Sequence, residues 1–218
     1  MMEREIEVKL LANSVELLTE IEKRTVLAGE PLTSTGERIQ EDTYLDTDGF
    51  NLLRAGFSLR IRRRNGGAKA TLKSVPGRDD RELLRDRTEL EAEVPMDSEA
   101  PAGTIRDVVL DLIGDVPLRP VVGIRTNRHT FRVGGAESPS AVLCADRAWV
   151  IPGEGGEPVG GFLEVEVEDA GGGSELLRRA GHELMDEYGL RPSSLSKFER
   201  GLRTLGLLER ARGEGRHP

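Results

Sequence analysis

Glu3-Arg4-Glu5-Ile6-Glu7-Val8-Lys9-Leu10-Leu11 alternates charged and apolar residues with period two, the pattern of a strand with two chemically different faces. Glu3, Glu5, Glu7 and Lys9 fall on one face; Ile6, Val8 and Leu10 fall on the other. The same kind of strand keeps returning. Arg60 and Arg62 stand opposite Leu59 and Ile61, and Lys69, Thr71 and Lys73 opposite Ala70 and Leu72. Glu89, Glu91 and Glu93 alternate with Leu90, Ala92 and Val94, as do Glu164, Glu166 and Glu168 with Leu163, Val165 and Val167. Each strand carries an apolar face and a face of nearly one sign of charge.

The bulk composition agrees with an unusual interior. The 218 residues suit one domain, or at most two small ones. Charged residues make up 32%, hydrophobic ones 37% and aromatics 4%, leaner in apolar weight than an ordinary globular chain. A fold that lines its interior with charge needs less. The net charge of −8 argues against nucleic-acid binding. A single cysteine, Cys144, excludes a disulfide framework and a cysteine-based zinc site, and reads as a small buried hydrophobe. No signal peptide and no membrane-spanning apolar run is present, so the expected setting is cytoplasmic.

Taken in order, the chain reads as about eight strands and four helices. After strand 3–11, Asn13 and Glu16 look like a capping box for a helix reaching about Ala28. Strands follow at 37–46, 57–64 and 68–75, the last two joined at Asn65-Gly66-Gly67, a hairpin signal. Pro76-Gly77 opens a polar loop to residue 86, and 87–95 is a strand. Thr104 is expected to cap a helix, with strands at 119–133, 141–151 and 162–169 beyond it. Ser174 is expected to cap a helix to Tyr188, and a final helix follows Arg191-Pro192. The organisation expected is one unit over 1–208 and a disordered tail over 209–218. Trp149 reads as core, and the three histidines lack ligand spacing.

Consecutive strands with short turns favour an antiparallel sheet, and eight can close into a barrel. Either the apolar face packs inward, the common arrangement, or the barrel is a charged tunnel with its apolar face outside under helices. Segregation of sign favours the tunnel. Clustered carboxylates repel one another unless a cation sits among them, and clustered guanidinium groups match phosphate. Acidic and basic walls facing each other describe a site for a metal-bound polyphosphate.

These segments resemble the CYTH family, the triphosphate tunnel metalloenzymes. Glu5-Ile6-Glu7-Val8-Lys9 resembles the family's N-terminal Glu-x-Glu-x-Lys strand, and Asp42-Thr43-Tyr44-Leu45-Asp46-Thr47 its second strand. Leu59-Arg60-Ile61-Arg62 and Thr71-Leu72-Lys73 resemble its basic hairpin, and Glu89 and Glu91 its next acidic strand. Ile124 to Arg128 resembles a further basic strand, although parity sends Arg125 and Arg128 to opposite faces, with Arg128 preferred for the interior. Asp146 and Glu164-Val165-Glu166 resemble the late acidic ligands, and Ser196-Lys197-Phe198-Glu199 the C-terminal motif.

The resemblance implies an α+β fold: an eight-stranded antiparallel tunnel, flanked by helices, acting on small triphosphate compounds with Mg²⁺ or Mn²⁺. It implies Glu5, Glu7, Asp146, Glu164 and Glu166 as metal ligands. Lys9, Arg60, Arg62, Lys69, Lys73, Arg128 and Lys197 are implied as triphosphate ligands, with Glu5, Glu7 and Lys9 central to catalysis. The activity expected is inorganic triphosphate hydrolysis; adenylate cyclase, thiamine triphosphatase and a non-catalytic polyphosphate binder are the alternatives. A monomer or homodimer is expected. Some family members carry a helical polyphosphate-binding domain, for which this chain is too short.

Overall fold

The alternating segments pair with one another in the computed structural model, which describes residues 3–64, 66–75, 83–135 and 137–213. The strands are β1 (Glu3–Ala12), β2 (Val26–Leu27), β3 (Glu30–Asp46), β4 (Phe57–Arg64), β5 (Gly67–Ser74), β6 (Leu84–Val94), β7 (Arg119–Gly134), β8 (Pro139–Pro152), β9 (Gly160–Asp169) and β10 (Arg191–Pro192). Eight of them run β1-β6-β5-β4-β3-β7-β8-β9, and β9 pairs with β1 to close the barrel. Every pairing is antiparallel. Closure leaves no free edge among the eight. The two-residue strands β2 and β10 extend β3 and β1.

The helices are α1 (Val15–Glu22), α2 (Asn51–Arg54), α3 (Gly103–Ile113), α4 (Gly173–Tyr188), α5 (Lys197–Thr204) and α6 (Leu208–Arg212). α1, α2, α3 and α4 cover the outside of the barrel, where the apolar faces of the strands meet them; α5 packs instead on the face of β7 and β8 that also carries Arg128 and Asp146. Val8, Leu10, Val165 and Val167 pack with Leu18 and Ile21 of α1 and Leu177 and Leu184 of α4. Val122, Ile124 and Val150 pack with Phe198 and Leu202 of α5 and Leu208 of α6. Leu59, Ile61 and Leu72 pack with Leu52 of α2 and Ile105 and Val109 of α3. Each fully buried aliphatic side chain contributes roughly 1.5–3 kcal/mol, and these shells offset the cost of an interior full of charge. The tunnel arrangement is therefore the one adopted.

Several local expectations differ. Helix α1 is capped by Ser14, whose Oγ accepts from the Leu17 amide, rather than by Asn13. It stops at Glu22, because residues 26–27 turn back at Ala28-Gly29 to pair with the start of β3. β3 is consequently seven residues longer at its N-terminus than the expected 37–46. Helices α3 and α4 begin at Gly103 and Gly173, one residue before the expected caps; the Asp169 carboxylate accepts from the Gly171 and Gly173 amides at the start of α4. Arg191-Pro192 pairs with β1. The tail expected from residue 209 is helical to Arg212, and Ala211 is buried against α2 and α5 neighbours. The 76–82 part of the polar loop, Asn65 and residues 214–218 lie outside the described residues.

Helix α5 lies close on β7 because Gly201 has no side chain: a Cβ there would come within 2.5 Å of Val122 Cγ1. Val122 is itself fully buried, so it cannot swing away. Gly201→Ala is expected to cost about 1–3 kcal/mol through overpacking, read as a lower thermal midpoint. Arg203→Ala, exposed on the same helix, should leave the midpoint within a degree or two, on the order of the ±0.5 kcal/mol typical of surface changes.

Candidate functional site

The inward faces of the strands enclose a cavity of about 230 Å³. β1 supplies Glu5, Glu7 and Lys9; β4 supplies Arg60, Arg62 and Arg64; β5 supplies Thr71 and Lys73. Arg87, Glu89 and Glu91 come from β6, Arg128 from β7, and Glu166 and Glu168 from β9. Arg38, Gln40 and Tyr44 reach in from β3, and Ser196 and Lys197 from the start of α5. Asp42, Asp146 and Glu164 lie in the same wall, almost wholly buried.

Two groups of three carboxylates bring their oxygens within 4.8 Å of one another: Glu5, Glu7 and Glu168, and Asp146, Glu164 and Glu166. Lys73 Nζ lies 2.8 Å from Glu5 Oε2 and 2.8 Å from Glu89. Arg87 donates to Glu7 Oε1 and lies 3.3 Å from Glu5 Oε2. Lys197 Nζ sits 3.0, 2.5 and 2.8 Å from Asp146, Glu164 and Glu166, and Lys9 Nζ 2.7 Å from Glu166. Arg128 donates to both oxygens of Asp146 at 2.8 and 2.7 Å and also to Glu166.

The triads suit a hard divalent cation. Their donors are all carboxylate oxygens, the set that Mg²⁺ and Mn²⁺ prefer. Glu164 Oε2 is buried with no hydrogen-bond partner, a position that burial makes costly unless something positive faces it. Asp146, Glu164 and Glu166 would hold one ion, and Glu5, Glu7 and Glu168 another.

The charge states follow from mutual compensation. Burial opposes the charge of Glu5, but Lys73 and Arg87 beside it bring its pKa down to about 2. Burial likewise opposes ionisation of Asp146, yet Arg128 and Lys197 hold it below the usual carboxylate range. Desolvation works against Lys9 and Lys197, and the facing Glu164 and Glu166 outweigh it, raising both. The β4 end differs. Burial and then Arg62, Arg38 and Arg60 lower the pKa of Arg64. Among the described residues neither Arg38 nor Arg64 has a carboxylate within ion-pair range, so this end holds uncompensated positive charge.

Lys197 is set by its helix start. Ser196 caps α5, accepting from the Glu199 amide, while Glu199 Oε2 accepts from the Ser196 amide at 3.0 Å. Arg212 of α6 donates to Glu199 Oε1 at 2.6 Å, and Arg54 of α2 donates to the carbonyls of Arg210 and Ala211. The C-terminal segment therefore braces the turn that sends Lys197 inward.

Of the residues expected from sequence, Glu5, Glu7, Lys9, Arg60, Arg62, Lys73, Arg128, Glu166 and Lys197 line the cavity. Asp146 and Glu164 complete its wall. Lys69 shares the inward parity but lies outside the cavity lining, 2.8 Å from Glu91. Arg128 faces inward and Arg125 outward, where it is exposed. Trp149, expected in the core, is 41% exposed. It pairs with Arg125 across β7 and β8, on the outer face of the barrel wall. Cys144 is buried as expected, and burial pushes its thiol up to about 12.

Sequence reasoning assigned no role to Arg38, Gln40, Asp42, Arg64, Arg87 or Glu168. Parity could have found most of them. Arg87 shares the face of Glu89 and Glu91 but sat at the assumed strand start, whereas β6 begins three residues earlier. Asp42 holds Arg62 through two bonds of 2.6 and 2.7 Å. Asp46, on the same face of β3, instead accepts from the Leu52 and Leu53 amides and orders α2. Tyr44 stacks on Phe198 with centroids 5.0 Å apart, the packing role expected of it.

A closed antiparallel barrel with paired acidic and basic walls defines a charged-tunnel fold. The CYTH domain model matches residues 3–202, and the chain belongs to that family. An uncharacterized protein of Mycobacterium tuberculosis is 36% identical over 111 residues, 49% of this chain but 20% of its own length. A putative adenylyl cyclase from Hippeastrum, described as having a dominant triphosphatase activity, superposes with a TM-score of 0.66 at 21% identity, over 93% of this chain and 96% of its own. A putative adenylate cyclase from Bacillus halodurans gives 0.60 at 20% identity, over 91% and 97%. At these identities the two structures establish the shared fold.

Asp42 offers a test of the buried charge scheme. Burial opposes its ionisation, but Arg62 and Arg60 hold its pKa well below the usual carboxylate range. Its stabilisation is thus complete above the unfolded value of about 3.9 and is lost as pH falls below that toward the folded value. Asp42→Asn is expected to cost about 3 kcal/mol at pH 7, and its deficit in denaturation midpoint should narrow between pH 4 and pH 2. A deficit independent of pH would contradict the assignment.

Proposed function

We propose that this chain hydrolyses inorganic triphosphate to pyrophosphate and phosphate with Mg²⁺ or Mn²⁺. The observation that carries the reading is the union, in one tunnel, of two carboxylate triads and a cationic wall around Arg38, Arg60, Arg62 and Arg64. Family membership and the neighbours described as triphosphatase or adenylyl cyclase support phosphoryl transfer in the same direction. The lining favours the unadorned polyphosphate. Tyr44 is the one aromatic residue among the described lining residues, and that ring is already stacked on Phe198. A purine or thiamine ring finds no apolar wall among the described lining residues.

Bound divalent cations would supply neutralisation of phosphate oxygens and a water of lowered pKa. The chain's own residues do the rest. Arg60, Arg62, Arg64 and Arg38 receive the phosphate chain by charge-assisted hydrogen bonds. Asp42 fixes the Arg62 guanidinium so that its remaining N–H groups stay aimed. Lys9 and Lys197, kept protonated by Glu164 and Glu166, lie where they can balance charge growing on the phosphate that departs. Such preorganised donors act most strongly where water is excluded.

Phosphate release should be measured from inorganic triphosphate, ATP and thiamine triphosphate, with Mg²⁺, with Mn²⁺ and with chelator. Fast release from inorganic triphosphate that chelator abolishes is the expected result. Glu5→Ala and Glu7→Ala should each lower it by ~10²-fold or more, and Lys69→Ala by much less. Wild-type rates in either glutamate variant would refute the metal assignment. A cyclic product from ATP would make the chain a cyclase, and tight triphosphate binding without release would make it a binding module.

A further inference from the structure

Arg87 differs from the other buried arginines of the tunnel in how it is held. Arg62 and Arg128 each grip a fully buried carboxylate, Asp42 or Asp146, through Nε and Nη2 together. That two-pronged geometry fixes the guanidinium plane. Arg87 reaches Glu7 and Glu5 through Nη2 alone. Its Nε is buried with no hydrogen-bond partner, although the residue is only 8% exposed and lines the cavity. Arg60 also has an unpaired Nε, but its nearest carboxylate is Asp42 at 3.7 Å, which belongs to neither triad.

Glu7 and Glu5 are two of the three carboxylates that come together with Glu168. A divalent cation that takes their oxygens meets positive groups already on them, Arg87 on both and Lys73 on Glu5, and like charges held that close repel one another. The displaced guanidinium would keep a buried charge and a free Nε–H in a cavity walled by other cations. An anion entering that cavity is the partner that satisfies both.

Resting on the reading of the tunnel as a metal-dependent triphosphate site, we propose that Arg87 is a resident counter-ion of Glu5 and Glu7. It competes with the divalent cation, and its transfer from carboxylate to phosphate makes metal and triphosphate bind with positive linkage. Arg87 then sets metal affinity, in addition to whatever grip it offers the substrate. The linkage is reciprocal: each ligand tightens the other by the same factor.

The test is calorimetric titration of Mn²⁺ into the full chain, with and without tripolyphosphate at low temperature, for wild type, Arg87→Met and Arg64→Met. Arg64→Met removes one positive charge from the same cavity without uncovering a carboxylate. In wild type, tripolyphosphate should tighten Mn²⁺ binding by roughly tenfold or more, the size of a typical coupling. Arg87→Met should tighten Mn²⁺ binding on its own by a similar factor and erase most of the enhancement. Arg64→Met should weaken tripolyphosphate binding while moving Mn²⁺ affinity by less than about threefold, a screened charge effect.

Unchanged or weaker Mn²⁺ binding in folded Arg87→Met, or an equal gain in Arg64→Met, would overturn the proposal. If Arg87→Met fails to fold, Arg87→Lys keeps the charge but gives up the reach to both carboxylates. It should raise Mn²⁺ affinity by about threefold, a fraction of a charge–charge term, and no rise would overturn the idea. Tighter Mn²⁺ binding in Arg87→Met without any triphosphate turnover would support Arg87's role while refuting hydrolysis. No Mn²⁺ binding in either protein would refute both.

Discussion

The structure depends on placing opposite charges directly across from one another inside a closed sheet. The register does this strand by strand. Glu5 faces Arg87, Lys9 faces Glu166, and Asp42 faces Arg62. Lys73 faces Glu89, and Asp146 stands between Arg128 and Glu164. An unpaired ion in such an interior costs several kcal/mol. A slip of one residue on any strand would send its charges out under the helices and its apolar residues into the tunnel. Charge pairing and hydrophobic burial therefore specify the same register, and each enforces the other.

The helices complete that logic. α1 and α4 cover one outer side and α2 and α3 another, whereas α5 packs on the inward parity of β7 and β8. α5 does more than cover apolar surface, because its first residue is Lys197, which meets all three carboxylates of the second triad. The brace from Arg54 to α6 and from Arg212 to Glu199 ties the far end of the chain to that lysine. Chain segments beyond the matched family region, 3–202, thus bear on the interior.

Much of this was legible in the sequence because period-two alternation reports directly on strand faces. Glu5, Glu7, Lys9, Arg60, Arg62, Glu164 and Glu166 could be assigned to one surface from spacing alone, and segregation of sign pointed that surface inward. What alternation cannot report is where a strand begins. Arg87 and Arg38 lay inside the expected strands 87–95 and 37–46 and on their charged faces, but beside each expected start, and no role was read for them; β6 and β3 in fact begin earlier, at Leu84 and Glu30. Arg64 was passed over as the hairpin's last residue. Nor does alternation say how far a helix will cover an outer face, so Trp149 read as core although it is largely exposed on β8. The caps of α3 and α4 fall at Ala102 and Gly172, two residues before the expected Thr104 and Ser174, because glycines with positive φ, Gly103 and Gly173, begin those helices.

The tunnel wall carries both uncompensated cations, Arg38 and Arg64, and compensated carboxylate triads. A polyanion is drawn to the arginines, while the carboxylates suit divalent cations. The most direct measurement is a crystal structure of the chain grown with Mn²⁺ and a non-hydrolysable triphosphate, with anomalous scattering recorded for manganese. The account predicts the phosphate chain inside the barrel against Arg60, Arg62 and Arg64, and an anomalous peak among Glu5, Glu7 and Glu168 or among Asp146, Glu164 and Glu166. Phosphate density on the outer surface, or manganese bound away from both triads, would contradict it.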